Sequence, residues 1–204
     1  KKKVVVVRHP MPYGDLKKER WQRFETYKDL LEQKCTIEEH EEYDAWISKK
    51  VVVYAGVDYK EILKRAEKEA DVIVWDGGNN DFPFFKPDLL ITVLDPFRPG
   101  HELNYHPGET NFRMADVLII NKVNTAPKKG VEEIEKNIKI INSKAIVIKA
   151  SSELITQGSK LIRNKRVIVV EDGPTLTHGG MSYGAAYLVA KKNRAKIIDA
   201  RKYA

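Results

Sequence analysis

Residues 72–81 read VIVWDGGNND, an apolar run that ends on Asp76 and is followed by two glycines and two asparagines. The run lacks alternating polar residues, which indicates a strand covered on both faces, as strands in parallel sheets are. Similar runs occur at residues 4–7, 89–94, 117–120 and 167–170, and weaker ones at 51–54 and 145–150. The sequence therefore predicts a sheet built mainly from parallel strands.

Charged segments with helical periodicity separate these strands. The clearest is residues 130–142, where apolar side chains recur three or four positions apart. This alternation predicts an α/β fold, a mostly parallel sheet with helices on both faces, in which residues 1–204 form a single domain. Residues 15–50 are rich in charge and aromatic side chains, and form either a helical insert or lid, or an ordinary helical pair packed on the sheet.

The composition narrows the function classes. The 204 residues contain 36 Lys and Arg against 29 Asp and Glu, a net charge of +7, which favours nucleotides, phosphorylated metabolites or nucleic acid as partners. The single cysteine, Cys35, excludes an intramolecular disulfide framework and a cysteine-rich zinc site. No stretch approaches the ~20 apolar residues that cross a bilayer, and the first apolar run is too short for a secretory signal. We therefore expect a cytoplasmic protein with no membrane partner.

Polar residues follow each major strand directly. Ligands of open α/β sheets bind at the carboxyl ends of the strands, so these side chains should share one rim. They are Arg8 and His9 after the first run, Asp76 to Gly78 after 72–75, Asp95 to Arg98 after 89–94, Asn121 to Asn124 after 117–120, and Glu171 after 167–170.

Asp76 is the first candidate at this rim. Nucleoside triphosphatases use an aspartate at the end of an apolar strand to hold Mg²⁺ beside a phosphate chain, directly or through water. Gly77 and Gly78 would let backbone N–H groups approach a phosphate without a Cβ in the way. The alternative is a plain Asp-Gly turn.

The segment Asn121-Lys122-Val123-Asn124 differs by one residue from the NKxD signature that reads guanine in GTP-binding proteins. The aspartate of that signature accepts two hydrogen bonds from guanine, whereas Asn124 has one accepting oxygen beside an NH₂ donor. The segment therefore predicts a base or phosphate contact without guanine selectivity, or else a solvated loop.

Residues 95–113, DPFRPGHELNYHPGETNFR, concentrate Arg98, His101, His106 and Arg113 in a segment rich in proline and glycine. Arginine forks and histidines bind multiply charged phosphate compounds, and histidine donates protons near neutral pH. Each histidine alone is explained as a satisfied loop residue, but the four together predict a phosphate site.

Residues 171–186, EDGPTLTHGGMSYGAA, lead from a strand into a helix of small residues. His178, Gly179 and Gly180 precede that helix, whose free N-terminal amides would then face an anion. A simple glycine-rich connection is the alternative.

A phosphate loop of the form GxxxxGK[ST] is absent from the 204 residues. The first strand begins at residue 4, which leaves no room upstream for a strand, such a loop and a helix. Either the nucleotide interpretation is wrong, or this sequence is a portion of a longer chain.

Six segments, RHPMPYGDL, VVVYAGVDY, WDGGNNDFPFFKPDL, DPFRPGHELNYHPGETNFRMAD, NKVNTA and VEDGPTLTHGGMSYGAA, closely resemble the cyclic 2,3-diphosphoglycerate synthetase family of thermophilic archaea. The resemblance runs through nearly the whole chain. Members of that family carry a phosphate loop upstream of the segment corresponding to VVVVRHP, and more chain beyond the one corresponding to ARKYA. The resemblance thus implies a P-loop NTPase-like domain that lacks its phosphate-loop segment.

The resemblance also implies a reaction, because family members couple ATP hydrolysis to closure of an intramolecular phosphoanhydride in 2,3-diphosphoglycerate. ATP and Mg²⁺ would be the cofactors and 2,3-diphosphoglycerate the small-molecule partner, with no nucleic acid, and with a homo-oligomer left open. The candidate residues then divide into catalytic Asp76, Arg98, His101 and His9; substrate-binding Arg8, His106, Arg113, His178, Gly179 and Gly180; nucleotide-binding Gly77, Gly78, Asn121, Lys122 and Asn124; and metal-binding Asp76, Asp95 and Glu171.

Two other classes compete with this interpretation. A regulatory or metallochaperone-like NTPase shares the strand, Asp-Gly and NKxD-like arrangement, but Asn124 and the lack of a cysteine and histidine relay disfavour it. A nucleic-acid-binding module fits the charge, but the aromatic residues do not interleave with basic residues as a stacking platform requires.

Overall fold

The computed structural model describes residues 2–9, 15–78, 81–171, 176 and 180–200. The chain divides into two compact units, Lys1–Ala150 and Ser151–Ala204. The sequence predicts a single domain over residues 1–204, and this stays a prediction.

The first unit contains seven of the described strands and six of the described helices. In chain order they are β1 (Val4–Arg8), β2 (Gln22–Phe24), α1 (Tyr27–Glu32), α2 (Ile37–Ile47), β3 (Val52–Ala55), α3 (Tyr59–Glu69), β4 (Val72–Trp75), β5 (Ile91–Leu94), α4 (His101–Asn104), α5 (Gly108–Met114), β6 (Val117–Ile120), α6 (Lys128–Ile141) and β7 (Ile146–Lys149).

These strands form two sheets. One has the order β2-β3-β1-β4, and the other has the order β5-β6-β7. All pairings are parallel except that of β2 with β3. The α/β class and the mainly parallel pairing predicted from the sequence are therefore confirmed.

Helices cover both faces of the four-stranded sheet, as its unbroken apolar strands predict. Helix α3 packs on one face, and α1 and α2 pack on the other. The buried residues are Val5, Val7, Val52, Tyr54, Ile62 and Ala66 on the α3 face, and Phe24, Leu30, Tyr43, Ile47, Val53 and Ala55 on the opposite face.

Residues 22–47 pack as part of this sheet. Helix α2 begins with a capping box, in which the Thr36 hydroxyl accepts the Glu39 N–H at 3.2 Å and the Glu39 carboxylate accepts the Thr36 N–H at 2.8 Å. Tyr43 of α2 lies against Phe24 of β2, with ring centroids 4.9 Å apart. This packing supports the helical-pair interpretation of residues 15–50, and the lid stays a prediction.

Cys35 lies between α1 and α2 and packs against the same apolar cluster. Burial, together with the nearby carboxylates of Glu39 and Glu19, raises the pKa of its thiol to about 12. The thiolate is the nucleophilic form of cysteine, so this environment disfavours a nucleophilic role for Cys35 at neutral pH.

Helices α5 and α6 cover one face of the three-stranded sheet, through the buried cluster Leu94, Phe112, Ala115, Leu118, Ile120, Ile134 and Ile138. On the opposite face Ile91, Val93, Ile146 and Ile148 are between 46% and 64% exposed. Within the described residues, helix cover of both faces is thus confirmed for the four-stranded sheet, while this sheet is covered on one face.

The second unit contains a 3-10 helix (Ser159–Ile162), β8 (Arg166–Val167), α7 (Ala185–Lys192) and β9 (Lys196–Ile197). Strands β8 and β9 pair in parallel over two residues each. The strand predicted at 167–170 is therefore shorter than expected, and Ile168 and Val170 are exposed because β9 offers them no partner. No helix among the described residues is both long and apolar enough to cross a membrane.

Glu69, at the end of α3, is the centre of an ion-pair network. Arg23 donates to it through Nε and Nη2, both at 2.9 Å, and the Tyr54 hydroxyl also donates to it. Lys3 Nζ lies 3.3 Å from Glu69 Oε2, and the Glu69 side chain is 18% exposed. The Arg23 hydrogen bonds lower the pKa of Glu69 from its usual 4.5 to about 2, against the opposing effect of burial.

We expect Glu69→Gln to reduce the stability of the protein at pH 7. The folded-state pKa lies below the unfolded-state value, so the charged form stabilises the fold above about pH 4.5, and this contribution is lost as pH falls toward 2. For a partly exposed pair the loss should be roughly 2 kcal/mol, or an apparent Tm about 4–8 °C lower. Thermal unfolding of the full-length protein measures it.

Glu67→Gln is the matched control, since Glu67 is an exposed glutamate of the same helix. Its Tm should stay within about 1 °C of the parent. The gap between the parent and Glu69→Gln should narrow below pH 4.5, and a gap that stays constant there would remove Glu69 as its source.

Candidate functional site

Six predicted site residues line one cavity of about 420 Å³ at the carboxyl ends of β5 and β6, which we term the β5–β6 cavity. Helices α4 and α5 supply the rest of its wall. The six are Asp95, Arg98, His101, His106, Asn121 and Lys122, and Glu102, Tyr105 and Asn111 also line it. Parallel strands end side by side, which is why residues more than twenty positions apart in sequence meet here.

Asp95 is the negative centre of the cavity. Its Oδ2 accepts hydrogen bonds from Arg98 Nε at 3.2 Å and Nη2 at 3.0 Å, and Lys122 Nζ lies 3.6 Å from the same oxygen. Its Oδ1 accepts the N–H of Phe97 at 3.1 Å. One carboxylate therefore holds two cations in place at the wall of the cavity.

Lys122 owes its position to an unusual backbone conformation. Its φ is +56°, a left-handed value that costs a non-glycine residue on the order of 1 kcal/mol. The side-chain oxygen of Asn121 accepts the Lys122 N–H at 2.8 Å and so stabilises the turn. Asn121 therefore positions the backbone of Lys122, a role that the NKxD resemblance does not reveal.

The two histidines of the cavity contact aromatic rings. His101 begins α4, and its ring centroid lies 4.9 Å from that of Tyr105. The His106 ring lies 5.4 Å from the ring of Phe82, in the segment that follows β4. Both histidines can supply donors to an anion in the cavity, in addition to Arg98 and Lys122.

Asp76 and Arg8 meet at the ends of β4 and β1, which are parallel neighbours. Arg8 Nη1 lies 3.0 Å from Asp76 Oδ2, and Arg8 Nη2 lies 2.9 Å from Glu42 Oε2. The Asp76 N–H donates to the Val7 carbonyl at 2.9 Å, which fixes the backbone at the strand end. The Asp76 side chain is 38% exposed, so it remains accessible to a ligand.

The segment after β4 connects this strand end to the β5–β6 cavity. His9 Nδ1 lies 3.2 Å from Asp81 Oδ2, and the Gly78 N–H donates to the same oxygen at 2.9 Å. The Asp81 carbonyl in turn accepts Asn111 Nδ2 at 2.8 Å, and Asn111 lines the cavity. These contacts bring residues predicted from two separate strand ends into one hydrogen-bonded arrangement.

Gly77 has a packing requirement of its own. A Cβ built at this position would overlap the indole ring of Trp75. Glycine is therefore required by the close approach of the chain to Trp75, a reason that is independent of any phosphate.

The residues at the site fit a Mg²⁺ ion that is held mainly by nucleotide phosphates and water. The part of the chain that the structure describes contains no group of three or more His, Cys, Asp or Glu side chains that could hold a metal. Magnesium at nucleotide sites needs only one or two carboxylates, since phosphates and water complete its coordination. Asp76, which is 38% exposed and paired with one cation, Arg8, fits this smaller demand, whereas Asp95 is paired with two cations, Arg98 and Lys122.

Glu171 and Arg113 have other partners in the structure. Glu171 Oε1 accepts the N–H groups of Gly184 at 3.1 Å and Tyr187 at 2.8 Å, at the start of α7. It thus takes the helix amides that the sequence suggests for an external anion. Arg113 pairs with Glu109 on α5. The functional roles of Glu171 and Arg113 stay predictions.

The remaining candidates lie in connecting segments. Asn124 lies in the turn after β6, and Gly180 has a φ of +68°, with no described heavy atom within 4 Å of the position a Cβ would take. His178 and Gly179 lie outside the described residues. Their predicted roles stay predictions.

Three acidic residues of the site are not singled out by the sequence. Asp81 ends the VIVWDGGNND stretch, so its closeness to Asp76 in the sequence could have identified it as a site residue. Glu102 accepts the Gly100 N–H at 2.9 Å and Asn137 Nδ2 at 2.7 Å, and it follows His101 directly. Glu42 carries no local signal, because its contact with Arg8 depends on how α2 packs on the sheet.

A second hollow of about 390 Å³ contains none of the predicted residues. Its lining consists of Tyr54, Glu61, Lys64, Arg65, Lys68 and Glu69. Glu69 belongs to the stabilising network with Arg23, and Arg65 pairs with Glu61 at 2.8 Å. This hollow is therefore assigned to stability.

Residues 62–149 match the protein family described as CobW/HypB/UreG, nucleotide-binding domain. The matched range runs from α3 to β7 and includes Asp76, the β5–β6 cavity and Lys122. The P-loop NTPase-like α/β fold implied by the sequence resemblance is thereby confirmed.

Two curated proteins of Thermococcus species are similar to this chain. Arginine synthetase ArcE of Thermococcus kodakarensis is 62% identical over 203 residues, which cover 99% of this chain and 45% of that protein. Cyclic 2,3-diphosphoglycerate synthetase of Thermococcus sibiricus is 31% identical over 84 residues, which cover 41% of this chain and 19% of that protein. The chain spans less than half the length of either relative. The resemblance to the second family is confirmed over part of the chain, not over nearly all of it.

Proposed function

We propose that the full-length protein containing this chain is an ATP-dependent synthetase and that its product is arginine. The support is the 62% identity to arginine synthetase ArcE across 99% of the chain, together with the nucleotide-binding-domain match. Formation of cyclic 2,3-diphosphoglycerate, implied by the sequence resemblance, is the second candidate, supported by 31% identity across 41% of the chain.

The observation that carries the proposal is the arrangement of charge in the β5–β6 cavity. Arg98 and Lys122 are held by Asp95, and two histidines lie in the same wall. Phosphoryl transfer is accelerated mainly by positioning and by neutralising the charge on the transferring group. Preorganised cations at the carboxyl ends of parallel strands supply both.

The chemistry of arginine formation indicates what the substrate must be. An ATP-dependent synthetase activates an oxygen as a phosphate or an adenylate, so the precursor should carry oxygen where arginine carries a guanidinium nitrogen, and we propose the phosphate. That precursor is the ureido analogue of arginine. Its oxygen takes the γ-phosphoryl group, a nitrogen nucleophile attacks the carbon, the C–O bond breaks, and inorganic phosphate leaves with the oxygen.

The second candidate shares the first step. The γ-phosphoryl group would go to one phosphate of 2,3-diphosphoglycerate, and the neighbouring substrate phosphate would displace it as inorganic phosphate, closing the ring. The γ-phosphorus would then be absent from the product. Both reactions require the cavity to hold the γ-phosphate of ATP beside an acceptor oxygen, which is a neutral ureido oxygen in the first and an anionic phosphate oxygen in the second.

We assign the residues of this chain as follows. Arg98, Lys122 and His101 bind and orient the anionic oxygens, and Asp95 holds the two cations in position. Asp76 holds Mg²⁺, which when bound neutralises charge on the nucleotide phosphates. Arg8, kept in place by Glu42, is a further cation beside Asp76.

The test is to incubate the full-length protein with ATP, Mg²⁺, ammonium and the ureido analogue of arginine labelled with ¹⁸O in its carbonyl. Mass spectrometry should find arginine, and the label in inorganic phosphate. Arginine without labelled phosphate would rule out transfer of the γ-phosphoryl group to that oxygen, and label in AMP would assign activation by an adenylyl group instead. A new phosphoanhydride signal in phosphorus NMR, distinct from those of ATP and ADP, would assign the second candidate instead if it appears only when ATP and 2,3-diphosphoglycerate are both present.

The family match also favours a third candidate, a regulatory NTPase, because its description includes proteins of the CobW, HypB and UreG type. Such a protein hydrolyses nucleotide without changing a small substrate. Hydrolysis that is insensitive to both substrates would support it.

A further inference from the structure

Asn111, on α5, is the most deeply buried of the described polar residues that line the β5–β6 cavity, with 7% of its surface exposed. Its neighbour Phe112 is fully buried in the apolar cluster of the three-stranded sheet. The Thr92 hydroxyl of β5 donates to the Asn111 carbonyl at 3.3 Å. These contacts hold α5 against the sheet, so the Asn111 side chain has a defined place in the cavity wall.

The two ends of the Asn111 carboxamide have different surroundings. Its Nδ2 donates to the Asp81 carbonyl at 2.8 Å. A carbonyl oxygen can only accept, so this contact assigns the nitrogen to the side of Asp81 and the oxygen to the other side. Oδ1 is buried, and no described residue donates a hydrogen bond to it. Asn111 therefore carries an acceptor that the described part of the protein leaves unused.

An acceptor in this state indicates a missing donor. Most buried polar side-chain atoms have a protein or water partner, because burying an acceptor without a donor is destabilising. Asn111 lines a cavity of about 420 Å³, a size typical of small-molecule sites. A ligand in this cavity that donates to Oδ1 would remove the penalty.

The other carboxylate and carboxamide groups of the cavity wall already accept hydrogen bonds within the protein. Both oxygens of Asp95 accept, and so do both oxygens of Glu102. The side-chain oxygen of Asn121 also accepts. Within the described cavity wall, Asn111 is thus the only one of these four side chains with an oxygen that has no donor.

The cavity wall fits a ligand that both accepts and donates. Arg98 and Lys122 supply donors for oxygen atoms, and Asn111 supplies the unused acceptor. A ureido group offers both kinds of partner, since its carbon carries one oxygen and two nitrogens with N–H groups. In contrast, 2,3-diphosphoglycerate has carboxylate and phosphate groups and no N–H. The unused acceptor therefore favours the ureido substrate over the second candidate.

We propose that Asn111 is a specificity-determining residue of the β5–β6 cavity, and that its Oδ1 accepts a hydrogen bond from the terminal NH₂ of the ureido substrate. This assignment rests on the proposed function. The terminal NH₂ is the end of the substrate, so it reaches a buried acceptor more readily than the internal N–H, which the carbon chain flanks. The contact leaves the ureido oxygen free to take the phosphoryl group.

Binding of two analogues to the unaltered full-length protein tests the proposal. One is the ureido analogue of arginine, and the other is its acetamido counterpart, in which a methyl group replaces the terminal NH₂. Calorimetric titration with Mg²⁺ and a non-hydrolysable ATP analogue present should give a Kd about 10- to 100-fold higher for the acetamido compound, because its methyl group leaves Oδ1 unpaired. Equal Kd values would overturn the proposal.

Two substitutions assign this preference to Asn111. Asn111→Leu keeps the approximate shape but removes the acceptor, so the two analogues should bind within about threefold of each other. Asn111→Asp keeps an accepting oxygen and loses the donor to Asp81, so the preference for the ureido compound should persist. A purely structural role would weaken both analogues in parallel and leave their ratio unchanged in Asn111→Leu, which would overturn the proposal. If Asn111→Leu fails to fold, the comparison in the parent protein decides it.

Failure of this assignment is distinguishable from failure of the proposed function. A parent protein that makes arginine but binds the two analogues equally would keep the proposed function and remove the role of Asn111. A parent protein that binds neither analogue would overturn both.

Discussion

Asp76→Asn in the full-length protein is expected to lower turnover by at least about 100-fold while leaving the fold intact. Asn keeps the shape of the side chain and one accepting oxygen, but removes the charge that would hold Mg²⁺ beside the nucleotide phosphates. Arg8 retains its second partner, Glu42, so the strand end should keep its structure. Turnover of ATP and product formation, with Tm as the fold check, measure the effect.

The matched control is Asp88→Asn, an exposed aspartate in the connection between β4 and β5. It changes the net charge by the same amount, and its turnover should stay within about twofold of the parent. Undiminished turnover in Asp76→Asn would exclude Asp76 from the mechanism, and the strand-end carboxylate would then serve only to hold Arg8.

Most of the fold could be predicted from the sequence, because the apolar residues that mark strands and helix faces by their spacing are also the buried residues of the structure. The run at residues 4–7 has no polar position, and Val5, Val6 and Val7 are fully buried between helices. In residues 130–142, Ile134 and Ile138 are buried, as their helical spacing requires. The prediction was wrong in length at residues 167–170, because the length of a strand also depends on its neighbour. Strand β9 pairs with β8 over only two residues.

The sequence predicts the part of the site that lies directly at the carboxyl ends of the strands. Parallel strands bring their carboxyl ends to one edge, so Asp95 and Lys122 could be expected to meet. The sequence does not predict which charged side chains form ion pairs with each other. The pairing of Asp95 with Arg98, and of Arg8 with Glu42, depends on loop and helix geometry that no sequence period encodes.

The second large effect is expected at Arg98. Arg98→Ala should lower kcat/KM on the order of 100-fold, because the cavity loses a preorganised cation where phosphoryl charge would develop. Asp95 would keep Lys122, at 3.6 Å, as its cationic partner and would carry less-compensated negative charge into the site. Steady-state kinetics with ATP and the small substrate varied separately measure the loss.

Arg113→Ala is the comparison, because Arg113, a substrate-binding candidate from the same segment, pairs with Glu109 on α5 and is not among the residues that line the β5–β6 cavity. Its kcat/KM should change less than threefold. Arg98→Lys separates charge from geometry, since lysine keeps the charge but cannot donate two fixed N–H groups to Asp95. Partial recovery in Arg98→Lys would assign Arg98 to charge neutralisation, whereas a loss equal to that of alanine would assign it to holding Asp95. Equal losses in Arg98→Ala and Arg113→Ala would move the site away from the β5–β6 cavity.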